Sequence, residues 1–187
     1  MNKGLKTGLI IGAVVVVLVM LFAGSYNGLI GKEEEVDSKL AQVSVQLERR
    51  ADLIPNLVNT VKGYASHEQS VIDSVTDARS KLLSANSVEE KAEANQELTT
   101  SLNNLLVVVE NYPDLKANTN FIQLQDELAG TENRIATARR DYNSAAKTYN
   151  TTIKKFPNSI IASMFNFEEV QYFEVSEEDT KVPNVEF

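Results

Sequence analysis

Three groups of polar side chains have types and spacings that chemistry could use. Arg49, Arg50 and Asp52 stand beside Pro55 and Asn56; Arg139, Arg140 and Asp141 stand with Asn143 and Asn150; His67 and Glu68 are neighbours. A guanidinium fork can hold a carboxylate or phosphate through paired hydrogen bonds, so the arginines could form an anion site. The other reading of Arg50 is an ion pair with an acid on a facing helix, fixing the register of a bundle. Arg139 and Arg140 are adjacent, so on a helix one of them must point outward. None of the three groups pairs a base with a nucleophile at a recognisable spacing.

Composition removes most other chemistries. The 187 residues contain no cysteine and one histidine, His67. Disulfide scaffolds, Cys-ligated zinc, iron–sulfur clusters and thiol nucleophiles are excluded, and so is the di-metal bundle that needs Glu-x-x-His on two helices. No metal or other cofactor is implied. The 18 basic and 26 acidic residues give a net charge of -8, and only Lys3 and Lys6 fall before Lys32. The chain beyond is more acidic still, which leaves no footprint for nucleic acid.

The elements that must position these groups begin with an anchor. Thr7 to Gly31 is free of charge, and Leu9 to Ala23 is unbroken apolar except for Gly12. At 1.5 Å per residue, roughly 20 residues cross a hydrocarbon core of about 30 Å, so this stretch can span. A cleaved signal peptide would share the basic start, but no good small-x-small cleavage site follows and Ser25 stands where a lipobox would need cysteine. Tyr26 and Asn27 fall where an interfacial aromatic belongs. The positive-inside bias is slight and places the body outside the cytoplasm. Gly8 and Gly12, with Gly4 and later Gly24 and Gly28, recur every four residues, a spacing that lets membrane helices approach; glycine is also simply common there.

Beyond the anchor, breakers are rare: between Gly31 and Pro157 only Gly63, Gly130, Pro55 and Pro113 interrupt a chain rich in Ala, Glu, Lys, Leu and Gln. That predicts an all-α body of about four long helices forming an elongated antiparallel bundle. Val36, Val43, Arg50, Leu57 and Tyr64 recur every seven residues, interleaved with Leu40, Leu47, Ile54 and Val61, which is a coiled-coil or bundle seam. Pro55 removes the bond to the Ala51 carbonyl and predicts a kink, while no turn signal separates this helix from the span. Gly63 marks a stop. Ser66-x-x-Gln69 and Ser87-x-x-Glu90 read as capping boxes opening a second and a third helix. Their apolar faces are expected to be Val71, Val75, Ala78 and Leu82, and Ala92, Leu98, Leu102, Leu105, Leu106 and Val109.

Asn111-Tyr112-Pro113-Asp114 ends the third helix. Phe121, Leu128, Ile135, Tyr142, Tyr149 and Phe156 are then spaced by seven, with Leu124, Ala138 and Ala145 between them. From Asp114 to Phe156 this predicts one rod of about 65 Å. A rod that long needs either the first helix or neighbouring subunits to cover its seam. After Pro157, the cluster Ile160, Ile161, Met164, Phe165 and Phe167 is expected to pack on the bundle end, with membrane contact as the alternative. The acidic tail is expected to be mobile, unless Val182, Val185 and Phe187 dock. The organisation is thus 1–6 as a short start, 7–31 as anchor, 32–157 as bundle, 158–175 as a packed segment and 176–187 as tail.

These residues resemble the LemA family of bacterial membrane proteins. The likeness rests on Gly24-Ser25-Tyr26-Asn27-Gly28-Leu29, on Arg49-Arg50-Ala51-Asp52-Leu53-Ile54-Pro55-Asn56-Leu57-Val58 continuing to Lys62-Gly63-Tyr64, on Tyr112-Pro113 with Leu115, on Phe121 to Leu128 with Glu132-Asn133-Arg134-Ile135, and on Arg139-Arg140-Asp141-Tyr142-Asn143 running to Tyr149-Asn150 and Phe156-Pro157. It covers residues 24 to about 175, and the tail matches weakly. The resemblance implies a single transmembrane helix, an elongated helical bundle and no established catalytic activity. Some relatives are associated with making internal membrane compartments.

Two functions follow as expectations. The first is a non-enzymatic, self-assembling scaffold or organiser in the bacterial inner membrane, crossing once, with the bilayer and other copies as partners. The second is a sensor with an anionic ligand near Arg49, Arg50 and Arg139, passing strain through the kinked helix to an unidentified partner protein.

Overall fold

Six helices, without a strand among the described residues, follow one another in the computed structural model. It describes residues 3–174, with side chains from Thr7. They are α1 Lys3–Lys62, α2 Gln69–Ser84, α3 Val88–Val109, α4 Pro113–Lys116, α5 Thr119–Lys154 and α6 Asn158–Phe165. The all-α expectation holds. The expected mobility of the acidic tail, and the alternative docking of Val182, Val185 and Phe187, lie outside the described residues.

The absence of a breaker between Gly31 and Val36 has the expected result: α1 carries both the apolar stretch and the seam in one helix. Its apolar stretch is exposed on every side, and the helix is long and apolar enough to cross a membrane from Thr7. Pro55 is accommodated inside α1. The Ala51 carbonyl, which proline's missing N–H would have satisfied, instead accepts a hydrogen bond from Arg79 Nε of α2 at 2.8 Å.

The chain divides into two compact units, with α1 and α5 contributing to both. One contains α1 up to Ser38 together with Ser144–Val170. Its buried apolar residues include Leu29 and Val36 of α1, Ala145, Ala146, Tyr149 and Ile153 of α5, and Ile161 and Ala162 of α6. The other runs from Lys39 to Asn143 and resumes at Gln171. There α1 buries Val43, Leu47, Ile54, Leu57 and Val61, and α5 buries Phe121, Ile135, Ala138 and Tyr142. The sevenfold spacing therefore marks buried positions in each unit, as a seam should. It ends sooner than the sequence predicts at both helices: Tyr64 lies past the end of α1 and is 45% exposed, while Phe156 lies past α5 and is 81% exposed.

Helix ends follow local chemistry with two corrections. Ser87 and Glu90 form the expected capping box on α3, and the backbone N–H groups of Ser87 and Asn86 hold the Glu90 carboxyl below the usual carboxylate range. Ser66 does not cap α2. That helix starts after Glu68, whose carboxylate accepts instead from the Tyr112 hydroxyl at 2.9 Å. Nor is there one rod from Asp114: α4 is a single turn with Pro113 in its first position, and Asn118 restarts the chain as α5. Its Oδ1 accepts from the backbone N–H of Asn120 at 3.0 Å and of Phe121 at 3.1 Å.

Faces shift slightly as well. On α2, Val75, Ala78 and Leu82 are buried as expected, and Ile72, three residues before Val75, is buried in place of Val71. On α3, Ala94, Asn95 and Ser101 take inner positions where Ala92 and Leu106 were expected. Ser101 and Ser74 of α2 share a hydrogen bond of 3.0 Å.

Candidate functional site

Arg50 occupies a seam position where the flanking heptads put Val43 and Leu57, and α1 buries it almost completely. Its Nη1 lies 2.5 Å from Glu132 Oε2 on α5 and donates to Asn95 Oδ1 on α3 at 2.7 Å. One guanidinium thus ties three helices together. Burial pushes its pKa down and the Glu132 charge opposes that, so the group stays protonated. Arg50 Nε has no hydrogen-bond partner.

Beside it opens a cavity of about 440 Å³, walled by Leu57, Leu102, Leu106 and Leu128. Its charged lining is Arg50, Asp126 and Glu132, one cation against two carboxylates. An anion entering there would meet net repulsion.

Arg49 is exposed and reaches Glu127 at 3.5 Å. Asp52, Pro55, Asn56 and Lys62 are exposed on the same helix, and the Asn56 carbonyl accepts from Thr60 Oγ1 at 2.8 Å. The Tyr64 hydroxyl accepts from Asn118 Nδ2 at 2.9 Å. The Arg49–Asn56 run therefore does not converge on one point: Arg50 turns inward with Ala51 and Ile54, while Arg49, Asp52, Pro55 and Asn56 turn out.

The second motif has a different task. On α5, Asn143 offers both atoms of its side-chain amide to one residue: Oδ1 accepts from Phe173 N at 2.8 Å and Nδ2 donates to Phe173 O at 3.1 Å. The Tyr142 hydroxyl donates to Gln171 O at 2.6 Å. Arg139 lies over the Phe173 ring, 5.0 Å from its centroid, and Phe173 is buried. Burial lowers the Arg139 pKa, with Glu132 opposing. Arg140 points outward and donates to Thr137 Oγ1, while Asp141 faces Lys39 at 3.7 Å.

In the other unit, Asn150 repeats the amide device on Val170, accepting from its N–H at 3.0 Å and donating to its carbonyl at 2.9 Å. Lys154 pairs with Glu169 at 2.6 Å. Asn143 and Asn150, one heptad apart, thus act as main-chain clamps on the chain after α6. Their own spacing showed in the sequence; the segment they hold carries no pattern that could have announced it. Tyr149 is fully buried, and burial first, then the nearby Glu33 and Asp37 carboxylates, push its hydroxyl up to about 12.

Gly8 and Gly12 present open backbone, since a methyl at either would meet nothing within 4 Å. His67 is exposed. Among the described residues, no group of three His, Asp or Glu side chains could hold a metal ion.

Comparison with known proteins agrees with the pattern of these residues. A profile of the LemA family matches residues 39–187. The chain belongs to the LemA family. LemA-family relatives of the chain include Magnetosome protein MamQ 2 of Paramagnetospirillum magneticum, 27% identical over 186 residues, with 86% of this chain and 68% of the relative covered. Magnetosome protein MamQ of Magnetospirillum gryphiswaldense is 25% identical, covering 79% of this chain and 64% of that protein. Protein LemA of Metamycoplasma hominis is 24% identical, covering 86% and 74%. The chain is thus a membrane-associated protein of the LemA family, and none of these relatives is named for a catalytic activity.

Proposed function

We infer that this LemA-family protein is a non-enzymatic scaffold that assembles with copies of itself at the bacterial inner membrane, with its body outside the cytoplasm. The observation that carries the reading is α1, in which one helix contains both the apolar stretch and the buried seam. A body built on its own anchor stays at the bilayer surface, where copies meet at raised effective concentration and weak lateral contacts suffice. Exposed backbone at Gly8 and Gly12 offers a place for such contacts within the bilayer. Two of the relatives are named as magnetosome proteins, which is in keeping with an organising role.

The sensor reading draws no support from the arginines. Arg49 reaches Glu127, Arg50 binds Glu132 and Asn95, and Arg139 stacks on Phe173, so each guanidinium already has its partner.

Light scattering and electron microscopy of the full-length protein in gentle detergent test the scaffold. A regular particle of many copies is expected, and replacing Gly8 and Gly12 together by Ile should shrink it. A monomer at every concentration would sink the reading.

A further inference from the structure

Helix α6, Asn158–Phe165, has no charged residue, and neither does the chain around it between Lys155 and Glu168. It buries only Ile161 and Ala162. Ile160 and Met164, one turn apart on its other face, are exposed, Met164 by 63%, and so is Phe165. An exposed face of that kind on an uncharged helix is costly in water and calls for an apolar neighbour.

The position of α6 identifies the neighbour. The Phe165 ring lies 4.7 Å from the ring of Tyr26 and 6.0 Å from that of Phe22, both on α1. Asn166, in the left-handed conformation with φ 56°, ends α6 and turns the chain so that Phe167 meets Tyr26 from another side, at 5.9 Å. Ser25 donates a hydrogen bond to Asn158 at the start of α6. Both ends of α6 are therefore tied to the five residues of α1 from Phe22 to Tyr26.

The depth of those five residues follows from the length of the span. A span that starts at Thr7 uses about 20 residues to cross the hydrocarbon, which brings it to Tyr26. Lys32, the first charge after it, must stand outside. Phe22 and Tyr26 thus lie at the hydrocarbon edge and the headgroup level, where tyrosine rings settle. Whatever is packed on them shares that depth.

We propose that α6 is a second membrane contact: it lies in the headgroup boundary of the leaflet where the α1 span emerges, with Ile160, Met164 and Phe165 in contact with lipid. Amphipathic helices lying in the interface sink their apolar faces by about 5 to 10 Å, which three such side chains can fill. The exposed Lys155, just before α6, is placed to meet lipid phosphates. The proposal rests on α1 crossing the bilayer and is independent of self-assembly.

The chain has no tryptophan, so a single introduced one reports its surroundings without background. Full-length Met164→Trp, reconstituted in phosphatidylcholine vesicles whose chains are brominated either near the headgroup or near their ends, tests the depth of α6. Val16→Trp in the apolar stretch and Val107→Trp on α3, where the side chain is 70% exposed, set the two limits. Met164→Trp should be quenched by both lipids, about twofold more by bromine near the headgroup, as expected at interfacial depth. Val16→Trp should respond more to the deep bromine, and Val107→Trp to neither.

Quenching at Met164→Trp no greater than at Val107→Trp, with Val16→Trp strongly quenched, would put α6 off the membrane or under another protein and overturn the proposal. Equal quenching at Met164→Trp and Val107→Trp would overturn it too, since the body as a whole would then lie on lipid. An unquenched Val16→Trp would remove the span and the proposal with it.

Discussion

Pro55 leaves Ala51 with a buried carbonyl that its own helix cannot satisfy, and Arg79 answers it from α2. A hydrogen bond from a charged donor contributes about 1.5 to 3 kcal/mol, so Arg79→Ala should lower stability by about that amount in urea unfolding. Pro55→Ala restores the N–H that the carbonyl lacks. In that background Arg79→Ala should cost well under half as much, and full additivity in the double-mutant cycle would show that the Arg79 bond does not compensate for proline. Tyr149 makes a prediction in pH. Its folded pKa of about 12 lies above the ordinary value of 10, so the fold favours the neutral phenol. That stabilisation is whole below pH 10 and is lost as the pH rises towards 12, by about 2 to 3 kcal/mol in all. Tyr149→Phe should change stability at neutral pH by no more than about 1 kcal/mol, the scale of a single hydroxyl's interactions. It should also keep its stability in alkali, where the parent's unfolding midpoint falls. The carbonyl freed by Pro55 could be read from the sequence, because proline always orphans the residue four before it. Its donor could not, since Arg79 lies 28 positions away on another helix.

Helix boundaries show where local motifs suffice and where they fail. Ser87-x-x-Glu90 and Ser66-x-x-Gln69 look alike on the page, yet only the first caps a helix. Glu68 stands at the start of α2 with its carboxylate bound to Tyr112, which lies beyond the whole of α3. A pattern four residues wide has no access to that partner. Asn118 went unread for a similar reason, because the heptad of α5 ran on smoothly from Asp114 and hid the restart. Asn118→Ala should cost about 1 to 2 kcal/mol in urea unfolding, losing both the cap on α5 and the bond to Tyr64. Ser66→Ala should change stability by less than about 0.5 kcal/mol, as a surface position without such a role does; a loss near 1 kcal/mol would restore Ser66 as a cap. The seams themselves were legible, since a period of seven in apolar residues is written along one helix and needs no knowledge of its neighbours. Their ends at Tyr64 and Phe156 were not, because the repeat outlasts the helices that use it.

Charge governs the molecule as a whole. The chain carries -8, and its only basic residues before Lys32 are Lys3 and Lys6, so the bodies of neighbouring copies repel one another. In the light-scattering test of assembly, particles should therefore grow as salt rises from about 0.01 M to 0.15 M, which shortens the Debye length from about 30 Å to 8 Å. Dissociation by salt would mean instead that opposite charges hold the copies together. Membership of the LemA family and the all-helical fold followed from sequence pattern, whereas the asparagine clamps on the chain after α6 came only with the coordinates. That chain is not helical, and the backbone groups of such a segment could template a strand on a neighbour wherever copies are crowded together. At Val170, Gln171 and Phe173 they are already taken, by asparagine amides and a tyrosine hydroxyl from α5. The two asparagines thus withhold these groups from strand pairing, and their change to Asp, which alters one atom in shape but removes the donor, is expected to release them.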